Sequence, residues 1–300
     1  MPTYHDNKRG ILALTSACGL FTIADTLTKL AALTYPSGDV LFARAAVCML
    51  VIGLVVIYTH QFSWLRHAAN RYVILRAILD AAANIAFILA LSHMRLADLL
   101  AVNLVSPLLL TMLLVVFFGE RIGWRRWTAI LIGFSGTLLI VRPSTSSLNV
   151  WALLGLAAAA CSATRDLVTR RIDPGVPTLA ISFISIFTVT AAAPLMALAF
   201  NEQWRMPDIE YLSFIGVAGL LLSVGSTFAV SAFRNVDISV VAPFRYSLLI
   251  WGGISGFVVF GEVSDAQSLI GSALIVGSGL YSLHRERVRH RELSAKAGIH

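Results

Sequence analysis

The stretch Gly38–Tyr58 reads GDVLFARAAVCMLVIGLVVIY. After Arg44 it carries no charge, and its apolar residues cover every side of a helix rather than one stripe. A soluble helix shows polar residues opposite its apolar face. A helix of this length, apolar all round, crosses a hydrocarbon core of roughly 30 Å. Similar runs occupy 10–33, 70–91, 96–118, 125–141, 149–170, 177–200, 209–233, 239–260 and 266–283, with short polar breaks between them. The expected fold class is an all-α integral membrane protein with ten transmembrane helices.

Composition agrees. Of the 300 residues 57% are hydrophobic and 13% are charged, against about 25% charged in an ordinary soluble domain. The net charge of +7 sits in the breaks and the C-terminal tail, so membrane topology explains it and no nucleic-acid partner is expected. With a cytoplasmic N-terminus, the inner segments collect Lys8, Arg9, Arg71, Arg125, Arg126 and the basic tail, while the outer ones hold only Arg95, Arg142 and Arg205. That asymmetry predicts both termini on the cytoplasmic side. Lys8 and Arg9 ahead of the first apolar run imitate a signal peptide, but the run is too long and is read as a retained helix.

Several function classes drop out. Cys18, Cys48 and Cys161 lie in apolar runs without CxxC spacing, so neither a metal site nor a disulfide framework is expected. No histidine pair has the i, i+4 spacing of a membrane metalloprotease, no Ser/His/Asp set suggests itself, and no Gly-x-x-x-x-Gly-Lys-Ser/Thr occurs. The chain is expected to be neither an enzyme nor an ATPase, and to need no cofactor.

The two halves repeat. Asp25–Lys29 matches Asp166–Arg170, Arg95-Leu-Ala97 matches Asp237-Ile-Ser239, Phe118-Gly119-Glu120 matches Phe260-Gly261-Glu262, and Ser135-Gly136 matches Ser278-Gly279. The offsets are 141, 142, 142 and 143 residues. Five helices per half is an odd number, so the second half enters the membrane from the opposite face. Inverted repeats are a usual basis of alternating access. The expected units are 10–141 and 149–283, followed by a basic tail over 284–300.

With the repeat, the helix count and the Gly-Glu ending the fourth helix of each half, the chain resembles the drug/metabolite transporter superfamily, in its bacterial EamA-type ten-helix branch. The Asp25-x-x-x-Lys29 helix, then Tyr35-Pro36 and Phe42-Ala-Arg44, looks like the subgroup proposed to carry S-adenosylmethionine, riboflavin or amino acids. The resemblance implies a bacterial inner-membrane carrier with a cavity formed by spans 1–4 and 6–9, and spans 5 and 10 as supports or a homodimer surface. It implies small-molecule and lipid partners and secondary transport without ATP; a coupling proton, with Asp25, Asp80 and Asp166 as its candidate carriers, or a counter-solute is the coupling that the residues allow.

Ionisable residues inside spans are costly and mark function by default. Asp25 and Lys29, like Arg76 and Asp80, are spaced i, i+4 on one helix face, so each pair either neutralises itself or lines a cavity. Arg44, Asp166 and Arg245 are further intramembrane charges, and Asn84 lies one turn beyond Asp80. Arg165 is long enough to reach an interface. Tyr246 beside Arg245, with Trp251 further along, is an aromatic cluster suited to stacking. Pro107 and Pro243 are expected to kink spans 4 and 9, and Glu120 and Glu262 to act as gating or structural residues. Charges of both signs suit a small polar or zwitterionic solute, such as an amino acid or a nucleoside-like compound. The alternatives are an exporter of drug-like cations and a non-transporting sensor or assembly protein.

Overall fold

The structure is a computed structural model that describes residues 4–59, 70–119, 123–142, 149–173, 175–205, 207–232 and 238–296. Among these residues all regular structure is helical. The first half holds α1 (Tyr4–Ala32), α2 (Ser37–Tyr58), α3 (Arg71–Leu91), α4 (Leu96–Asn103), α5 (Ser106–Phe118) and α6 (Trp124–Val141). The second holds α7 (Val150–Thr169), α8 (Thr178–Ala199), α9 (Ile209–Ser231), α10 (Ile238–Val241), a 3-10 segment (Ala242–Tyr246), α11 (Ser247–Phe260) and α12 (Ala266–Lys296). Among the described residues nine helical stretches are long and apolar enough to cross a membrane, and Trp127–Val141 is a shorter apolar one. Ten crossings return the chain to the side on which it began.

Local chemistry sets the boundaries. Asn70 and Asn149 accept the Tyr72 and Ala152 amides at 2.9 and 3.3 Å, capping α3 and α7. Asp208 and Asp265 cap α9 and α12 through the Tyr211 and Ser268 amides. The repeated Phe-Gly-Glu ends α5 and α11 because Gly119 and Gly261 take left-handed conformations, φ 65° and 63°. Such a turn bends the chain back over the helix end, so that the Glu262 amide reaches the Gly256 carbonyl at 2.9 Å.

Two spans are interrupted, at corresponding places. Span 4 breaks at Leu104–Val105, between α4 and α5, and span 9 passes through the 3-10 segment. Pro107 lies in the first turn of α5, where its missing N–H costs nothing, and Pro243 lies in the 3-10 turn. Pro194, by contrast, sits inside a continuous α8.

The packing exchanges under the pairing of the halves. α1 runs along α9 as α7 runs along α3; α2 meets α9 as α8 meets α3; α1 meets α11 as α7 meets α5. The α2–α8 and α6–α12 contacts map onto themselves. This is an inverted-repeat helical bundle. Its most deeply buried part is the α3–α4 corner with its neighbours, where Ile88, Leu91, Leu96, Leu99 and Leu100 are almost wholly enclosed.

Small residues let α6 and α12 meet backbone to backbone. A Cβ on Gly136 would stand 2.6 Å from the Gly271 carbonyl oxygen, and one on Gly271 would stand 2.6 Å from that of Gly136. Neither atom belongs to a side chain that can swing away. Gly136→Leu is therefore expected to force the two helices apart and cost roughly 1–3 kcal/mol or more. A lowered melting temperature in detergent checks this; wild-type melting would show that the pair separates freely.

Candidate functional site

Between the two halves lies a cavity of about 350 Å³. Its charged wall is Asp25 from α1, Arg44 from α2, Arg165 from α7 and Arg245 from the 3-10 segment. Asn84, Asn103 and Ser106 add neutral polar groups, and Phe21 and Phe87 add rings. Asn103 and Ser106 flank the break in span 4, and Arg245 sits in that of span 9. An unbroken helix would bury those backbone turns in hydrogen bonds, so the interruptions bring irregular backbone to the centre, which is tolerated where it lines a cavity.

The pairs that join the cavity wall run between helices. Asp25 faces Arg44 at 3.4 Å, not Lys29. Arg44 also donates to the Asn84 side-chain carbonyl at 3.1 Å, while the Asn84 amide returns to the Asp80 backbone carbonyl at 2.9 Å. Asp80 takes Arg165 at 2.6 Å, not Arg76. Arg165 reaches Asp166 as well, at 3.0 Å, so one guanidinium bridges two carboxylates. Arg76 turns to the hydroxyls of Thr169 and Ser185. Of the two alternatives the i, i+4 spacing left open, self-neutralisation does not occur: each acid pairs with an arginine of another helix. Residues four apart share a face but do not have to meet when a neighbouring helix presents a closer partner of opposite charge.

Lys29 lies away from this cavity, toward the face opposite the termini. Its ammonium group donates to Glu262 and to the Met94 carbonyl at 2.7 Å, and stands 4.7 Å from the centre of the Phe260 ring. The second Glu262 oxygen accepts the Leu96 amide at 2.8 Å, at the start of α4, where a carboxylate is favoured by the helix dipole. The C-cap turn at Gly261 is what aims Glu262 there. One carboxylate therefore ties α1, α4 and α11 together on that face.

Further bonds cross-link the same face. Arg95 holds Asp98 at 2.7 Å, the Val263 carbonyl at 2.9 Å and the Ser268 hydroxyl at 3.1 Å. Arg142 pairs with Asp265, and its hydrogen bond, helped by the Ser268 amide, holds that exposed carboxyl well below the usual carboxylate range. Glu202 accepts the Gly38 amide at 2.7 Å at the start of α2, and Asp39 accepts that of Arg205 at 3.0 Å.

Of the expected site residues, the cavity wall collects Asp25, Arg44, Asn84 and Arg245. Asp80 and Asp166 stand behind it, bonded to the lining Arg165. Tyr246 and Trp251 do not join Arg245. Tyr246 turns onto α12, where its ring leaves no room for even a Cβ on Gly279, and the Trp251 indole packs over Gly19 of α1. At about 100° per residue, positions 245, 246 and 251 fall on three different sides of a helix, so the expected aromatic cluster does not assemble. Phe21 and Phe87 supply the rings instead. Glu120 lies outside the described residues. Arg165, expected only to be long enough to reach an interface, lines the cavity with Ser162, three residues earlier and on the same face.

The serines and threonines of the spans mostly bond their own helix. Thr22, Thr26, Thr111 and Ser223 each donate to the carbonyl four residues earlier. Among the described residues no group of three or more His, Cys, Asp or Glu could hold a metal ion.

Comparison with known proteins agrees with this architecture. The EamA-like transporter family matches residues 8–142 and again 149–283. The pseudopaline exporter of Pseudomonas aeruginosa is 29% identical over 271 residues, 90% of this chain and 94% of the exporter. An S-adenosylmethionine uptake transporter of Rickettsia felis is 25% identical, covering 88% of each chain. A riboflavin transporter of Brucella anthropi is 25% identical, covering 91% of this chain and 98% of its own. A solved crystal structure superposes with a TM-score of 0.63 at 17% identity, covering 94% of this chain and 98% of that one, which shows the fold alone.

Proposed function

The chain belongs to the EamA-like transporter family and is a multi-pass small-molecule transporter, and from that premise we propose that its solute is a small polar or zwitterionic metabolite carried by alternating access. The observation that supports this is the cavity, whose wall carries charges of both signs, Asp25 and Arg44 from the first half and Arg165 and Arg245 from the second. A purely apolar cargo has no use for groups that cost so much to place at this depth. Amino acids and nucleoside-like compounds fit its size and mixed polarity. The relatives carry chemically diverse solutes, so family membership alone does not choose among them.

Rocking of the two halves would expose the cavity to one side and then the other. In the conformer described, Lys29, Glu262 and the Leu96 amide close one face. In the sequence repeat the counterparts of Lys29 and Glu262 are Arg170 and Glu120. A carrier of this kind must open one closure while the other holds, and the solute drives it by binding the two states unequally.

We place both termini in the cytoplasm of a bacterial inner membrane, on the distribution of lysine and arginine among the breaks. A reporter enzyme fused after His300 is expected to be active in the cytoplasm; periplasmic activity there overturns the orientation.

The test of function is uptake of a metabolite mixture into proteoliposomes, read by mass spectrometry. Wild-type protein is expected to move a polar solute faster than empty vesicles do. Asp80→Asn removes the charge that holds Arg165 and is expected to cut that flux about tenfold, beyond any loss of folded yield. Full flux in well-folded Asp80→Asn protein would remove Asp80 from the mechanism.

A further inference from the structure

Arg245 differs from the other cavity cations in having no acidic partner among the described residues. Arg44 is matched by Asp25 at 3.4 Å and Arg165 by Asp80 at 2.6 Å. Among the described residues no carboxylate lies within ion-pair distance of Arg245, and its side chain is exposed at the cavity wall. A guanidinium at this depth without a counter-charge is expensive unless it faces water or an anion.

The surroundings favour an anion over water alone. The cavity wall carries three guanidinium groups, of Arg44, Arg165 and Arg245, and one carboxylate, of Asp25. Helix α5 starts at Ser106, itself on the wall, and α11 starts two residues after Arg245. The N-terminal ends of interrupted helices carry partial positive charge and in carriers face the anionic groups of solutes.

We propose that Arg245 anchors a carboxylate of the transported solute through the planar, two-pronged pairing that guanidinium makes with that group. Asp25, held at a comparatively long 3.4 Å by its own arginine, takes an ammonium group where the solute has one, and Phe21 and Phe87 flank the remainder. This rests on reading the cavity as the solute site.

The test uses purified protein in nanodiscs of phosphatidylcholine, which excludes acidic lipid as the anion. Thermal unfolding is followed with a panel of soluble amino acids and mono- and dicarboxylates, each beside its methyl ester or amide, and with the matching amines. Free acids are expected to stabilise the protein, with esters and amides binding about 10- to 100-fold more weakly. Arg245→Gln is expected to erase that preference, and Arg245→Lys to keep part of it. Should the variants fail to fold, modification of wild-type Arg245 by phenylglyoxal, read by peptide mass spectrometry, is expected to slow with the acid and not with its ester. Stabilisation by no acid, equal binding of acid and ester, an unchanged preference in Arg245→Gln, or no protection of Arg245 overturns the anchor. Flux of the same panel into vesicles separates the two readings. Amines and esters carried without preference for acids sink the anchor and leave the carrier standing, whereas acids bound but never moved sink the carrier and leave the anchor.

Discussion

Lys29→Ala is expected to destabilise the protein by about 3 kcal/mol, at the lower end of what breaking a buried ion pair costs. Glu262 would lose its cation while its side chain stays only 17% exposed. The lower end applies because the Leu96 amide still donates to Glu262 at 2.8 Å. The Met94 carbonyl would lose its donor as well. Lys29→Ala with Glu262→Gln is expected to recover more than half of the loss, since no uncompensated charge remains. Thermal unfolding of the two single variants and the double variant decides it through the coupling between them. Additive losses would mean that the two residues do not act together. The same variants read out the closure: if the pair seals that face, the folded double variant should leave cysteines placed near the cavity open to membrane-impermeant thiol reagents from outside. Protection equal to wild type would assign the pair to stability alone.

Arg165→Ala is expected to be the more damaging change for transport. It leaves Asp80 and Asp166 without the cation that both share. Because Arg165 is 25% and Asp166 41% exposed, the stability loss is expected to stay below the roughly 3–5 kcal/mol of a fully buried pair, and the loss of charged hydrogen bonds at the cavity wall is expected to lower flux at least about 100-fold. Arg165→Lys keeps the charge but not the fork, so it should hold one carboxylate and fall between. Arg165→Ala with Asp80→Asn should regain folded yield without regaining flux. Transport at the wild-type rate in that double variant would show that Arg165 serves folding only.

The parts of this protein that follow from one-dimensional chemistry were legible. Gly38–Tyr58 and its counterparts have to be helices across a membrane, because nothing else satisfies their backbone in hydrocarbon. The Phe-Gly-Glu endings and the offset of 141 to 143 residues carried the inverted repeat. Pro107 and Pro243 marked the two spans that break, although proline alone did not identify them, since Pro194 leaves α8 continuous.

Pairing was a different matter. The spacing of Asp25 and Lys29, and of Arg76 and Asp80, left self-pairing and cavity lining both open, whereas Asp25 faces Arg44 and Asp80 faces Arg165. Sequence order specifies which residues share a helix face, and therefore which charges enter the membrane. It does not specify which neighbouring helix stands opposite, and Coulomb attraction depends on that distance. The amino-acid sequence by itself determined the ten spans, the doubling and the set of buried charges. Only the tertiary structure decided that Lys29 leaves the cavity for Glu262, that Tyr246 and Trp251 turn away from it, and that Arg245 alone among the cavity arginines stands without an acidic neighbour among the described residues. Those outcomes depend on how helices distant in sequence are rotated and brought within a few ångströms of one another.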